Sequence, residues 1–258
     1  MGCAHTCVKV LRCAQDGDGW AAVRGDGLLP SVLSVSPWFL PAMFDTPPAA
    51  GYHRPGIGNE ELLVVEWRQV AAARRLLESE SGAIIRDWGG RVPVVLAYPN
   101  SYAVGMSSLA VHGLYRWLNA LPGVVCERAF AGFERRASLR DEPITLESQR
   151  PLRDAAVVAF TVSFEPDYFN VIAMLRGADI PLRAAEREEG DPLVILGGPA
   201  VAANPEPLAP LADAIVIGEA EELLEDLIAP VREGWERERR ATLEALARVP
   251  GVYVPLLH

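Results

Sequence analysis

Two aliphatic runs that each end in glycine constrain this chain most, and both lie between Leu193 and Glu222. The first run is followed at once by Gly-Gly-Pro at 197–199, and the second by Gly-Glu at 218–219. Continuous aliphatic runs bounded by turn residues are typical of strands that are buried on both faces of a parallel sheet. Glycines at the end of such a strand let a ligand approach the backbone where a Cβ would collide. Gly-Gly-Pro alone also fits an ordinary strand-to-helix turn, so the two runs together are a more specific pattern than either one.

Composition narrows the class of protein. The chain has 258 residues, half of them hydrophobic, which is enough for one large domain with an extension. Its formal net charge of -10 argues against a general nucleic-acid or membrane-surface binder. No segment reaches the roughly 20 uninterrupted apolar residues of a membrane-spanning helix. Prolines interrupt the apolar patch from Pro30 to Phe44 and no basic leader precedes it, so we expect a cytoplasmic protein without a secretory signal.

The cysteines are unevenly distributed. Three of the four, Cys3, Cys7 and Cys13, form a C-x3-C-x5-C pattern that matches no common zinc motif. Thiolates close in sequence can converge on one iron–sulfur cluster, but no strand or glycine-rich turn frames this trio, and we expect neither a cluster nor another metal site. So few cysteines form no disulfide framework in a chain of this size, which makes a reducing compartment the default.

The periodicity of the sequence predicts four regions: an irregular extension at 1–57, a helical lead-in at 58–90, an α/β domain at 91–234, and a helix with a linker at 235–258. Strands are predicted at Val92–Tyr98, Val124–Phe130 and Ala156–Val162, and two more begin at Leu193 and Ala214. Their alternation with helices predicts an α/β fold with a five-stranded parallel sheet, in the flavodoxin-like order 2-1-3-4-5, and helices on both faces. One helix is predicted to begin at Met106, and another at Glu219, where acidic residues suit the first turn of a helix.

This strand order places a crevice between strands one and three, where the order reverses. Ligands of open parallel sheets bind outside the carboxyl ends of the strands at such a point. Three predicted loops converge there, at 99–105, 163–167 and 197–199. The topology therefore predicts where a ligand lies, but not which ligand it is.

Seven stretches carry a resemblance to a known family: AYPNSYAVGMSSLAVHGLYRWLN, VVCERAF, PLRDAAVVAFTVSFEPDYFNVIAML, ADIPLRAAER, LVILGGPAVAANPEPLA, DAIVIGEAEE and LARVPGVYVP. Together they make residues 58–258 similar to the N-terminal cobalamin (B12)-binding-type domain of B12-binding radical S-adenosylmethionine (SAM) proteins. The resemblance implies that a barrel follows residue 258 and that its C-x3-C-x2-C cysteines hold a [4Fe–4S] cluster and SAM. This sequence lacks that motif, so we expect the chain not to be catalytic alone and its partner to be a radical SAM barrel, in cis or in trans.

The cobalamin pattern can be carried over residue by residue. Cobalamin domains with a protein ligand to cobalt have D-x-H-x-x-G after the first strand, and this chain has Asn100, Tyr102 and Gly105 in that register. The Ser-x-Leu element of these domains is matched only at Ser163. Their Gly-Gly element, which makes room for the nucleotide tail, is present at 197–198. The resemblance therefore implies cobalamin bound base-off, without a histidine from the protein. The implied corrinoid site comprises Asn100, Ser101, Tyr102, Gly105, Met106, Ser163, Phe164, Glu165, Gly197, Gly198, Pro199 and Glu219.

Other functions remain open. A stand-alone Rossmann-like module that has lost cobalamin would bind a nucleotide-like ligand or a partner protein at the same crevice. A flavodoxin-like electron carrier fits less well, because no Ser/Thr-rich phosphate loop follows the first strand. His112 is interpreted as a surface or packing histidine, and the helix dipole explains Glu219 without a function.

Overall fold

The computed structural model describes residues 59–133, 142–234 and 238–257. The predictions for the irregular extension and for Cys3, Cys7 and Cys13 lie outside these residues. No helix in the described ranges is both long enough and apolar enough to cross a membrane.

The fold is built on one six-stranded sheet in the order β2-β1-β3-β4-β5-β6. The first five strands are parallel, which confirms the α/β class and the predicted order, but a sixth strand pairs antiparallel with β5. The prediction of five strands was wrong because β6 has only two residues, too few to show a period of two. The strands are β1 Val92–Ser101, β2 Val124–Gly132, β3 Val157–Thr161, β4 Leu193–Gly197, β5 Ala214–Val216 and β6 Val252–Tyr253.

Seven α-helices are found in the described part of the chain, and two of them begin later than predicted. The helix expected from Met106 begins at Leu109, and the helix expected from Glu219 begins at Leu224. Gly218 has a φ of +117°, so the chain turns after β5 before it can enter a helix. The helices are α1 Asn59–Ser79, α2 Tyr102–Gly105, α3 Leu109–Ala120, α4 Tyr168–Gly177, α5 Pro199–Ala203, α6 Leu224–Gly234 and α7 Arg239–Leu246.

The sheet is buried on both faces, as the continuous aliphatic runs predicted. Neighbouring residues of β1 point to opposite faces, yet Val94 is only 1% exposed and Val95 is fully buried. On one face β1 packs with Tyr115 and Leu118 of α3 and with residues of α6 and α7 in a single apolar cluster. Burial on both faces leaves the carboxyl edge, where the loops emerge, as the place for function.

The segment at 142–152 covers the outer edge of β2. Thr145 pairs with Ala129 in an antiparallel bridge, and the Leu146 amide donates to the Arg128 carbonyl at 2.7 Å. The Arg128 amide donates in turn to the Glu147 carboxylate at 2.7 Å. The backbone groups of an edge strand would otherwise be open to pairing with another chain.

Candidate functional site

The exits of β1 and β3 are joined by hydrogen bonds at the carboxyl edge. The Asn100 side chain, at the end of β1, donates to Asp167 Oδ1 at 2.8 Å. Asn170 of α4 donates to the Pro99 carbonyl at 2.8 Å and to the same Asp167 oxygen at 3.3 Å. These bonds bring the predicted loops at 99–105 and 163–167 together between β1 and β3.

The exits of β3 and β4 are joined through the backbone. The Val162 amide donates to the Gly197 carbonyl at 2.8 Å, and the Ala200 amide donates to the Val162 carbonyl at 3.3 Å. The Tyr168 hydroxyl donates to the Ala200 carbonyl at 3.2 Å. The predicted Gly-Gly-Pro loop therefore lies against the β3 exit, beside half-buried Ser163.

The two glycines of this loop have different roles. Gly198 has a φ of +102°, and a Cβ there would lie 2.6 Å from the Val162 carbonyl oxygen. The backbone packing of the fold thus requires Gly198. A Cβ on Gly197 would meet only Val216 Cβ, at an ordinary 3.7 Å, and Gly197 has no unusual φ. The fold therefore does not require a glycine at 197.

Tyr102, in the register of the cobalt-ligating histidine, has a partner inside the protein. Its hydroxyl donates to Glu80 Oε1 at 2.7 Å, and its ring meets Phe130 of β2 edge-on with centroids 5.3 Å apart. Burial, followed by the hydrogen bond to Glu80, raises the pKa of Tyr102 to about 12. The phenol is therefore protonated at neutral pH, and its O–H group donates the hydrogen bond to Glu80.

Arg128 anchors this whole loop from the β2 side. Its guanidinium pairs with Glu80 and with Glu147, each at 2.7 Å, and all three side chains are nearly or fully buried. The guanidinium also stacks 4.5 Å from the centre of the Tyr115 ring and lies 3.4 Å from Met106 Sδ. Sequence reasoning missed this network, because its charged residues are 48 and 19 positions apart and no local pattern links them.

The rest of the loop after β1 is packed just as closely. A Cβ on Gly105 would collide with the Phe130 ring, so close packing explains this glycine without a ligand. A ring nitrogen of His112 lies 2.9 Å from the Met106 carbonyl, to which it donates. His112 is thus an exposed histidine, in keeping with its predicted surface role, but it fastens the loop.

The edge also exposes large apolar side chains, which we call the apolar rim. Those nearest the crevice are Phe164 and Phe169 after β3, with 58% and 52% of their surface exposed. Large apolar side chains exposed together mark interaction surfaces. The rim comprises Val104, Leu109, Phe164, Phe169 and Ile217.

The remaining predicted residues are spread along the same edge. Ser101 is buried at the end of β1, whereas Glu165 and Pro199 are exposed. Glu219 is also exposed, but it follows β5, which β4 separates from β3. The structure therefore places Glu219 on the carboxyl edge and outside the crevice between β1 and β3.

Two cavities lie away from this edge. One of about 400 Å³ opens at the amino ends of β3 and β4, where Asp154, Asp191 and Arg239 line it. The other, of about 350 Å³, lies between α6 and α7. No group of three or more His, Cys, Asp or Glu side chains in the described ranges could hold a metal ion.

The fold and the site together define a mostly parallel α/β domain whose loops converge at the carboxyl edge of the sheet. The chain belongs to the family described as "Radical SAM proteins, N-terminal", whose model matches residues 110–255. It is also 26% identical over 128 residues to an uncharacterized protein of Methanocaldococcus jannaschii. That match covers 50% of this chain and 24% of the relative, so the chain spans about a quarter of that protein. No solved structure matches it.

Proposed function

We propose that this domain binds a corrinoid at the carboxyl edge of β1, β3 and β4 and presents it to a radical SAM barrel in cis or in trans. The observation that carries the proposal is a glycine that the fold does not require, Gly197, next to half-buried Ser163. Cobalamin domains, which this sequence resembles, use small residues and a hydroxyl at these positions to accommodate the nucleotide tail. Membership of a family of N-terminal domains of radical SAM proteins supports the barrel as the partner.

The lower face of the corrinoid would receive no nitrogen from the part of the chain that the structure describes. The Tyr102 hydroxyl donates to Glu80, and His112, the single histidine of the described ranges, donates to the Met106 carbonyl. With its tail in the space beside Gly197, the cofactor's own base would also lie away from the metal. The cofactor so bound would supply a methyl carrier, whereas the [4Fe–4S] cluster and SAM would belong to the barrel.

The apolar rim suits the docking of a second domain. Phe164 and Phe169 both follow β3 and are exposed, so a domain that covers them would lie next to the proposed ligand. Burial of each exposed aromatic ring contributes about 1.5–3 kcal/mol to such an interface. Exclusion of water from the covered crevice would protect reactive intermediates.

The test is a titration of the purified chain with hydroxocobalamin, FMN and NAD. Gly197→Leu fills the space beside β4, and we expect it to abolish corrinoid binding while the melting temperature stays within a few degrees of the parent. Gly190→Leu is the control, because a Cβ at Gly190 meets nothing within 4 Å and Gly190 lies by the opposite edge. Equal affinity of the parent and Gly197→Leu would place the corrinoid elsewhere.

The exposed rim also favours a second function, that of a domain that has lost cobalamin and retains only its partner. Such a domain would bind neither hydroxocobalamin nor FMN nor NAD, yet would still associate with a barrel through Phe164 and Phe169. Saturable binding of hydroxocobalamin would exclude this alternative.

A further inference from the structure

A buried carboxylate oxygen without a partner lies at the point where the strand order reverses. Asp167 is only 3% exposed, and both of its hydrogen bonds, from Asn100 and Asn170, go to Oδ1. Oδ2 is shielded from solvent and has no hydrogen-bond partner among the described residues. Asp167 was not among the predicted site residues, since an aspartate before a helix is an ordinary capping residue.

The position of Asp167 excludes the usual explanation. It directly precedes α4 but caps none of the backbone N–H groups of that helix. Two side-chain amides instead hold the carboxylate on the β1 side, one from β1 and one from α4. A buried oxygen left unpaired destabilises the fold, so such an atom beside the crevice indicates a partner that arrives with the ligand.

We infer that Asp167 Oδ2 accepts a hydrogen bond from a primary amide of the bound corrinoid. This inference rests on the proposed function, and it names the part of the ligand that the crevice recognises. The corrin ring carries acetamide and propionamide side chains, whose N–H groups are neutral donors of the kind that already satisfy Oδ1. Asp167 ends the short turn Glu165–Asp167 that follows exposed Phe164, so a local movement of this turn brings Oδ2 to the ligand.

The variant Asp167→Asn tests the role of this oxygen. Asparagine keeps an acceptor for Asn100 and Asn170 but places an NH2 group where Oδ2 lies, so that a donor faces the donor of the ligand. We expect the affinity for dicyanocobinamide to fall about 10- to 100-fold, while the melting temperature stays the same or rises. Asp154→Asn is the matched control, because Asp154 is exposed at the opposite edge.

A second probe changes the ligand and leaves the fold untouched. Heptamethyl dicyanocobyrinate carries esters in place of the amides and, like dicyanocobinamide, has no nucleotide tail. We expect the parent to prefer dicyanocobinamide about 10- to 100-fold and Asp167→Asn to lose most of that preference. If the parent binds corrinoids but the variant shows the same affinities and preference, this inference is wrong and the proposed function stands. If the parent binds no corrinoid at all, both are wrong.

Discussion

The two sides of the crevice differ in how their polar groups are used. On the β2 side, the loop at 102–106 is held by partners within the protein: Tyr102 by Glu80, and Met106 by Arg128 and His112. After β3 and β4, the fold tolerates a side chain at Gly197, and Asp167 has an oxygen without a hydrogen-bond partner among the described residues. The fold therefore closes the position of Tyr102, where the sequence departs from the cobalamin pattern. Among the glycines that keep that pattern, Gly105 and Gly198 are required by the packing, whereas Gly197 is not.

The largest effect that tests this comparison is expected at Arg128, the anchor of the closed side. Arg128→Met would leave Glu80 and Glu147 buried without their shared cation, and we expect a loss of about 3–5 kcal/mol in the free energy of unfolding. Urea denaturation measures this loss. Arg240→Met is the control, because its pair with Glu244 is exposed and should contribute less than about 1 kcal/mol. Similar effects of the two substitutions would show that the network does not anchor the loop.

A smaller contrast is expected between the neighbouring glycines. Gly198→Ala forces a side chain into a left-handed backbone conformation against Val162 and should destabilise the fold by about 1–3 kcal/mol. Gly197→Ala adds a methyl group at ordinary contact distance, so its effect should lie within about 0.5 kcal/mol. Thermal unfolding of both variants measures the difference. Equal destabilisation would remove the distinction between a glycine that the fold needs and one that a ligand needs.

The smallest effect belongs to the Tyr102 hydroxyl. Tyr102→Phe removes the bond to Glu80 and should reduce the free energy of unfolding by about 1 kcal/mol at neutral pH. Because the pKa of Tyr102 is raised from 10.0 to about 12, this contribution is fully present below pH 10 and is lost as the pH rises through about 12. Urea denaturation of both proteins between pH 8 and pH 12 measures the difference. A constant difference over that range would show that Tyr102 is not coupled to Glu80.

The sequence predicted the parallel sheet and the meeting of the three loops, because aliphatic runs and their glycine stops are local signals. It did not predict the contacts that distinguish one part of the site from another. Tertiary contacts bring Glu80, Arg128 and Glu147 together, because β2 pairs with β1 and the segment at 142–152 covers β2. Gly197 and Gly198 cannot be told apart in the sequence. Their roles differ because only Gly198 packs against the backbone of Val162.

At Glu219 the error is the opposite one, because a local signal predicted a helix start that the structure does not have. The acidic neighbours of Glu219 fit the first turn of a helix, but the left-handed backbone of Gly218 delays the helix to Leu224. The position of Glu219 beyond β4 follows from the strand order, which the sequence did predict.

The most direct test of the account is electron paramagnetic resonance of the purified chain loaded with Co(II) cobalamin. A nitrogen bound to the lower face of cobalt splits the lines into triplets, whether it comes from a histidine or from the cofactor's own base. Because the Tyr102 hydroxyl donates to Glu80 and His112 donates to the Met106 carbonyl, and the tail is proposed to lie beside Gly197, the account predicts singlet lines. Triplet lines from the bound cofactor would contradict it.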